Sequence, residues 1–240
     1  MTFVTHSSPA LEAVGLTKTY GPSHALSGVD FRVEPGESVA IMGASGSGKT
    51  TLLHCLAGIV APDSGSVVLN SSQGPVTVTA LDEAGRSRLR REAFGFVFQQ
   101  GLLLPELTAV ENAALPLMLN GIDRRAAEQT AAMWLAALGL AGFESRRIGQ
   151  LSGGQAQRVA IARAQTTGAA VVFADEPTGA LDSATSAEVM DALILSTTER
   201  GRSLVVVTHD ETVAARCSRI LRLADGRIVA GETADGVSAR

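Results

Sequence analysis

The sequence predicts an α/β fold: a mostly parallel β-sheet covered by helices, with a helical segment inserted into it. Three observations predict it. Strand-like and helix-like segments alternate along most of the 240 residues. The strand-like runs are short, apolar and β-branched, as in "AAVVFAD" (169–175) and "SLVVVTH" (203–209). Runs of that kind belong to parallel strands buried on both faces. Residues 108–166 read instead as mostly helical, which marks the insertion.

The elements follow in order. "LEAVGLT", "LSGVDFRV" and "ESVAIM" read as early strands. A glycine-rich turn then opens the helix "GSGKTTLLHCLAG". "GSVVL", "VTVTA" and "FGFVF" read as further β pieces. Thr108 and Glu111 have capping-box spacing, in which each side chain satisfies the other's orphan N–H at a helix start. "DRRAAEQTAAMWLAALG" is an alanine-rich helix stopped by Gly139, with Trp134 expected in the core. After "AAVVFAD", the segment "SATSAEVMDALILSTTERG" reads as a helix and "SLVVVTH" as a strand. Asp225–Gly226 between "RILRL" and "RIVA" is a hairpin signal. Residues 1–10 and 231–240 are expected to be tails around one domain spanning 11–230.

Composition narrows the function classes. Hydrophobic residues make up 45% and charged residues 18%, which is globular and not disordered. The net charge of −4 lacks the basic excess of a nucleic-acid binder. Cys55 and Cys217 have no metal-like spacing and read as reduced thiols of a cytosolic protein. No apolar run approaches the ~18 residues that span a bilayer, and the N-terminus "MTFVTHSSPA" does not read as a signal peptide. A membrane role therefore needs a partner.

"GASGSGKT", Gly43 to Thr50, fits the phosphate-loop pattern G-x-x-x-x-G-K-[ST] between a strand and a helix. In such a loop the backbone N–H groups of Gly43, Ala44, Ser45, Gly46, Ser47 and Gly48 wrap phosphates. Lys49 reaches the β- and γ-phosphates, and the Thr50 hydroxyl suits Mg²⁺. Asp175 ends the strand of "AVVFADEP" and fits a second Mg²⁺ contact; Glu176, pointing elsewhere, suits orientation of the attacking water. Gln99 and His209 also follow apolar strands, where ligands of α/β sheets gather; a hydrogen-bonded turn residue is the plainer reading of His209. Tyr20 suits stacking on a nucleobase or sits half-buried in a loop.

"LSGGQAQR", residues 151–158, resembles a second anion site at a helix N-terminus. On the same nucleotide it would be redundant. It makes sense on a nucleotide held by another copy, pairing across a two-fold axis. The plainer reading is a helix-start turn.

Taken together these residues resemble the nucleotide-binding domain of ABC ATPases, over about Leu11 to Val229. The family's elements appear in order: an aromatic (Tyr20), Walker A (Gly43 to Thr50), the Q-loop (Gln99), the signature (Leu151 to Gln155), Walker B (Val171 to Glu176), Asp182 and His209. The resemblance implies a P-loop NTPase (RecA-like) core, an N-terminal antiparallel β subdomain, and an α-helical subdomain at about 100–157. It implies ATP and Mg²⁺ as ligands. Tyr20, the loop with Thr51, Ser152, Gly153, Gly154, Gln155 and Asp182 would bind nucleotide. Thr50, Gln99 and Asp175 would serve the metal, and Glu176, His209, Lys49 and Gln99 catalysis.

"LTKTYG", "FGFVFQ", "LTAVENAALPL" and "ADEPTGALD" resemble the MacB/LolD/FtsE-type group within it. That implies an ATP-driven homodimer on the cytoplasmic face of the membrane, working an FtsX-like permease for export or mechanotransmission. A soluble ABC ATPase of DNA repair or translation is the alternative, though no zinc cysteines or second ATPase unit appear. Ala156 stands where glutamine is common, Ala44 where proline is frequent in Walker A, and "QTTGAAVVF" departs from the usual approach to Walker B.

Overall fold

The computed structural model describes residues 8–71 and 74–233. Most of the two expected tails therefore lies outside the described residues. The described parts of both are built into the fold. Ala10 is buried and its N–H donates to Val33 O at 2.7 Å, and the last strand runs on to Thr233.

Two sheets organise the chain. The first is antiparallel, in the order β2-β1-β4-β5, from β1 (Leu11–Tyr20), β2 (Ser23–Val33), β4 (Ser64–Ser71) and β5 (Gly74–Thr77). The second has the order β10-β9-β3-β8-β7-β6. Its strands are β3 (Ser38–Met42), β6 (Phe94–Phe98), β7 (Val171–Asp175), β8 (Ser203–Thr208), β9 (Arg219–Ala224) and β10 (Arg227–Thr233). All its pairings are parallel except the β9–β10 hairpin at Asp225–Gly226.

Period-two side-chain alternation divides the core between the sheet's faces. Val39, Ile41, Val171, Phe173, Val205 and Val207 face one cluster, shared with the antiparallel sheet and α1 (Lys49–Leu56). Ala40, Met42, Val172, Ala174, Leu204 and Val206 face the other. That second cluster is continued by α3 (Ala109–Leu119), α4 (Arg124–Ala137), α5 (Gly153–Gln165) and α6 (Ser183–Thr198). So the central strands β3, β7 and β8 are packed on both faces.

The helical middle has the expected boundaries at its start. Thr108 and Glu111 form the capping box of α3. Asp123 caps α4, and Gly139, at φ 75°, ends it one residue past the cap. Trp134 is buried, with the Arg200 guanidinium 4.2 Å from its ring centroid. Residues 138–152, expected within a mostly helical stretch, are loop apart from one turn at Ile148–Gln150. The loop's carbonyls serve α3 instead: Ala109 N–H donates to Arg146 O and Val110 N–H to Glu144 O.

One longer helix was not foreseen. α2 (Glu83–Glu92) is rich in charge and fully buries no residue, with Leu89 alone among its residues packed against the core. It is held by its Asp82 cap and by Glu83, which pairs with Arg86 and Arg90. A short α7 (Glu211–Ala214) follows β8.

Candidate functional site: a phosphate loop facing two strand-end carboxylates

The loop between β3 and α1 borders a cavity of 560 Å³ at the carboxyl ends of the parallel strands. Ser45, Gly46, Gly48, Lys49, Thr50 and Thr51 line it from the loop, Glu176 and His209 from β7 and β8. The glycines are required by close approach. A Cβ on Gly43 would sit 2.2 Å from Leu223 O, and one on Gly48, at φ 104°, 2.2 Å from Ala25 O. Only a bare backbone fits between β9 and β2.

Lys49 donates to Gly43 O at 2.8 Å and Ala44 O at 2.9 Å. Two of its three N–H donors thus brace the loop itself. Ser47 Oγ is buried with no hydrogen-bond partner among the described residues. That hydroxyl packs against Gly43, and Ser47 is not among the residues lining the cavity.

Thr50 Oγ1 donates to Asp175 Oδ1 at 3.4 Å, so the two residues expected to share a metal meet. Two oxygen donors suit a hard cation such as Mg²⁺. Burial raises the Asp175 carboxyl above its ordinary range, and His54 and the Thr50 hydrogen bond pull it partly back.

Glu176 takes a strained left-handed backbone, φ 48°, anchored by its N–H on Val207 O at 2.9 Å. Non-glycine residues hold such conformations mainly where surrounding structure enforces them, often at functional sites. Its carboxylate accepts from His209 Nδ1 at 2.8 Å and from Thr208 Oγ1 at 3.4 Å. Sequence placed Glu176 and His209 each at a strand tip; that the two tips adjoin and the side chains touch is new.

The other expected residues stand outside this cavity. The Gln99 side chain lies against Gly179, where its Nε2 would be 2.8 Å from an added Cβ. Tyr20 sits at the β1–β2 hairpin tip, 51% exposed, paired with the cavity-lining Ser23. Ser152 caps α5 and forms a capping box with Gln155. Ser152 and Gly153 are exposed and Gly154 is buried. A Cβ on Gly154 would lie 2.5 Å from Thr185 Cγ2, so that glycine has a packing reason within its own chain. Asp182 caps α6, accepting from Thr185 N and Oγ1. Ser23 and Ala25 line the cavity unforeseen, because only the tertiary approach of β2 brings them there.

A family model described as ABC transporter matches residues 26–179. The chain belongs to the ABC transporter family. Among its relatives, the lipoprotein-releasing system ATP-binding protein LolD of Hyphomonas neptunium is 41% identical, over 92% of this chain and 97% of that protein. The macrolide export ATP-binding/permease protein MacB of Marinobacter nauticus is 43% identical over 97% of this chain but 36% of its own length. The chain thus spans about a third of the MacB relatives and nearly all of LolD. The solved dimeric cassette MJ0796, in a post-hydrolysis state bound to ADP and Pi, superposes with TM-score 0.83 at 38% identity. That match covers 95% of this chain and all of MJ0796. As an ABC transporter cassette the chain is an ATPase. Among the described residues no helix is long and apolar enough to cross a membrane.

Proposed function

We propose that this ATPase closes as a homodimer on two MgATP and thereby drives a separate permease, of the FtsX-like type, from the cytoplasmic face of the membrane. The observation that carries the catalytic half is the meeting of Lys49, Thr50, Glu176 and His209 around one cavity, with Asp175 hydrogen-bonded to Thr50. Lys49 and the loop N–H groups from Gly43 to Thr51 hold the phosphates. Thr50 and Asp175 would hold Mg²⁺, which would supply charge neutralisation of the phosphates; Gln99, which here lies against Gly179, would join them and sense the γ-phosphate. Glu176 takes up the proton side of water attack through its free lone pairs, and His209 keeps its carboxylate oriented. Catalysis of this kind is positioning and electrostatics.

The exposure of Ser152 and Gly153, away from their own chain's cavity, supports their use on the nucleotide of a second copy. Asp182 and Gln155 lie beside them. A groove of 360 Å³ beneath the insertion supports a permease contact. Phe94, Phe96, Phe98, Leu102 and Leu119 line it, and Leu102 and Leu119 are exposed.

The test is Glu176→Gln. It is expected to bind MgATP, dimerise on it by light scattering, and hydrolyse it at least about a hundredfold more slowly. Hydrolysis at the wild-type rate would remove Glu176 from the chemistry. Pull-down of this variant from detergent-solubilised membranes with MgATP is expected to recover a permease; recovery of ribosomes or DNA alone would move the chain to the soluble class.

A further inference from the structure

Asp63 lies outside the cavity, between α1 and β4, and has no part in the chemistry above. Both its carboxylate oxygens are taken up by the strand end that carries Tyr20. Oδ1 accepts from Lys18 Nζ at 2.8 Å. Oδ2 accepts from Thr19 N–H and Thr19 Oγ1, each at 2.7 Å. The Asp63 N–H donates to Thr17 O at 2.8 Å. Four bonds therefore grip three successive residues, and the next residue is Tyr20.

The grip falls where the sheet is weakest. The β1–β2 register slips between Lys18 and Thr19, and again between Leu16 and Thr17. A bulged ladder leaves backbone donors that something else must satisfy. Asp63 takes the Thr19 N–H. Tyr20 itself is half exposed, with Lys18 Nζ 5.6 Å from its ring centroid. No core pocket sets the ring, so the backbone before it does. Asp63 follows the phosphate-loop helix by seven residues, and Ile59 and Val60 N–H, between them, both donate to His54 O in that helix.

An exposed Lys–Asp pair alone contributes little. A carboxylate that also takes a backbone N–H and a hydroxyl defines a geometry as well. The Lys18 and Thr19 hydrogen bonds hold its carboxyl at about 2, so it is charged across the working pH range.

We propose that Asp63 is a positioning residue for the nucleobase: it aims the Tyr20 ring at the mouth of the phosphate-loop cavity. The proposal rests on Tyr20 being the base platform. It is tested with the full chain carrying Asp63→Ala, Tyr20→Ala or both, by calorimetric titration with MgATP and with magnesium tripolyphosphate, which has no base. Asp63→Ala is expected to weaken MgATP binding about fivefold and tripolyphosphate binding less than about twofold, stacking being the part lost. In the Tyr20→Ala background it is expected to add nothing, as for residues acting through one contact.

Equal losses for both ligands would mean general damage to the loop and overturn the proposal. A full loss persisting in the double variant would overturn it as well. If Tyr20→Ala weakens MgATP binding and Asp63→Ala does not, the Asp63 proposal alone fails. If Tyr20→Ala leaves MgATP binding unchanged, the base-platform reading fails and takes the Asp63 proposal with it.

Discussion

Asp175 meets two demands that oppose each other. Its place at the tip of β7, against Thr50, suits a cation, yet burial raises its carboxyl. A folded pKa above the unfolded one means that the group supports stability at low pH. That support is lost as pH rises from the ordinary aspartate value through the raised one. At neutral pH the charged Asp175 is therefore a destabilising residue in the nucleotide-free protein. Asp175→Asn is expected to raise the nucleotide-free Tm by about 1–2 °C while abolishing ATPase activity. Thermal scans at pH 7 check it; a lowered Tm would mean that the Thr50 hydrogen bond outweighs burial. Gly154 gives a second residue-scale test. Gly154→Ala would press a methyl onto Thr185 Cγ2, at a cost of about 1–3 kcal/mol. Adding Thr185→Ser removes that methyl but keeps the hydroxyl on Asp182, and is expected to restore the Tm.

At the scale of elements, α5 is a brace for the loop after β6. Gln157 Nε2 donates to Phe98 O at 2.9 Å, and Arg163 donates to Gly101 O at 2.6 Å and Leu102 O at 2.7 Å. The helix that begins at the signature serine thus holds the loop that begins at Gln99. The Arg163 guanidinium is desolvated by burial, which favours its neutral form, and carbonyl contacts are its only compensation among those described. Arg163→Met keeps the apolar stem and strands both carbonyls. It is expected to cost about 1–3 kcal/mol and to speed amide exchange across residues 99–104 before the rest of the chain. Unchanged exchange there would show that the loop is held by its own packing.

Across the whole molecule, the two clusters flanking the parallel sheet bury both thiols. Burial pushes the Cys55 thiol up to about 11 and the Cys217 thiol up to about 12. Cys55 sits behind the phosphate loop and Cys217 before β9, so each reports on a different face of the sheet. Neither is expected to react with a thiol reagent at pH 8 in the native protein, and both after denaturation. Reaction of one alone would show that its side of the sheet opens independently.

The sequence by itself determined what short-range physics controls. Short continuous apolar, β-branched runs set the strands of the parallel sheet, the Thr108–Glu111 capping box set a helix start, and the phosphate-loop glycines set the turn before α1. The residue types of the site, Lys49, Thr50, Asp175, Glu176 and His209, were legible because each stands next to one of those elements. α2 was not read, its one core contact being Leu89 in a run of charged residues, nor was the loop character of 138–152, whose carbonyls at Glu144 and Arg146 serve α3. Only the tertiary structure decided which strand tips are neighbours. The order β9-β3-β8-β7-β6 brings His209 onto Glu176 and Thr50 onto Asp175, and sets Gln99 beside Gly179. It likewise showed that Gly154 is required by Thr185 and that Asp63 grips the strand before Tyr20. Those contacts join residues far apart in the chain, and strand order rests on burial summed over whole faces, which no local window of sequence contains.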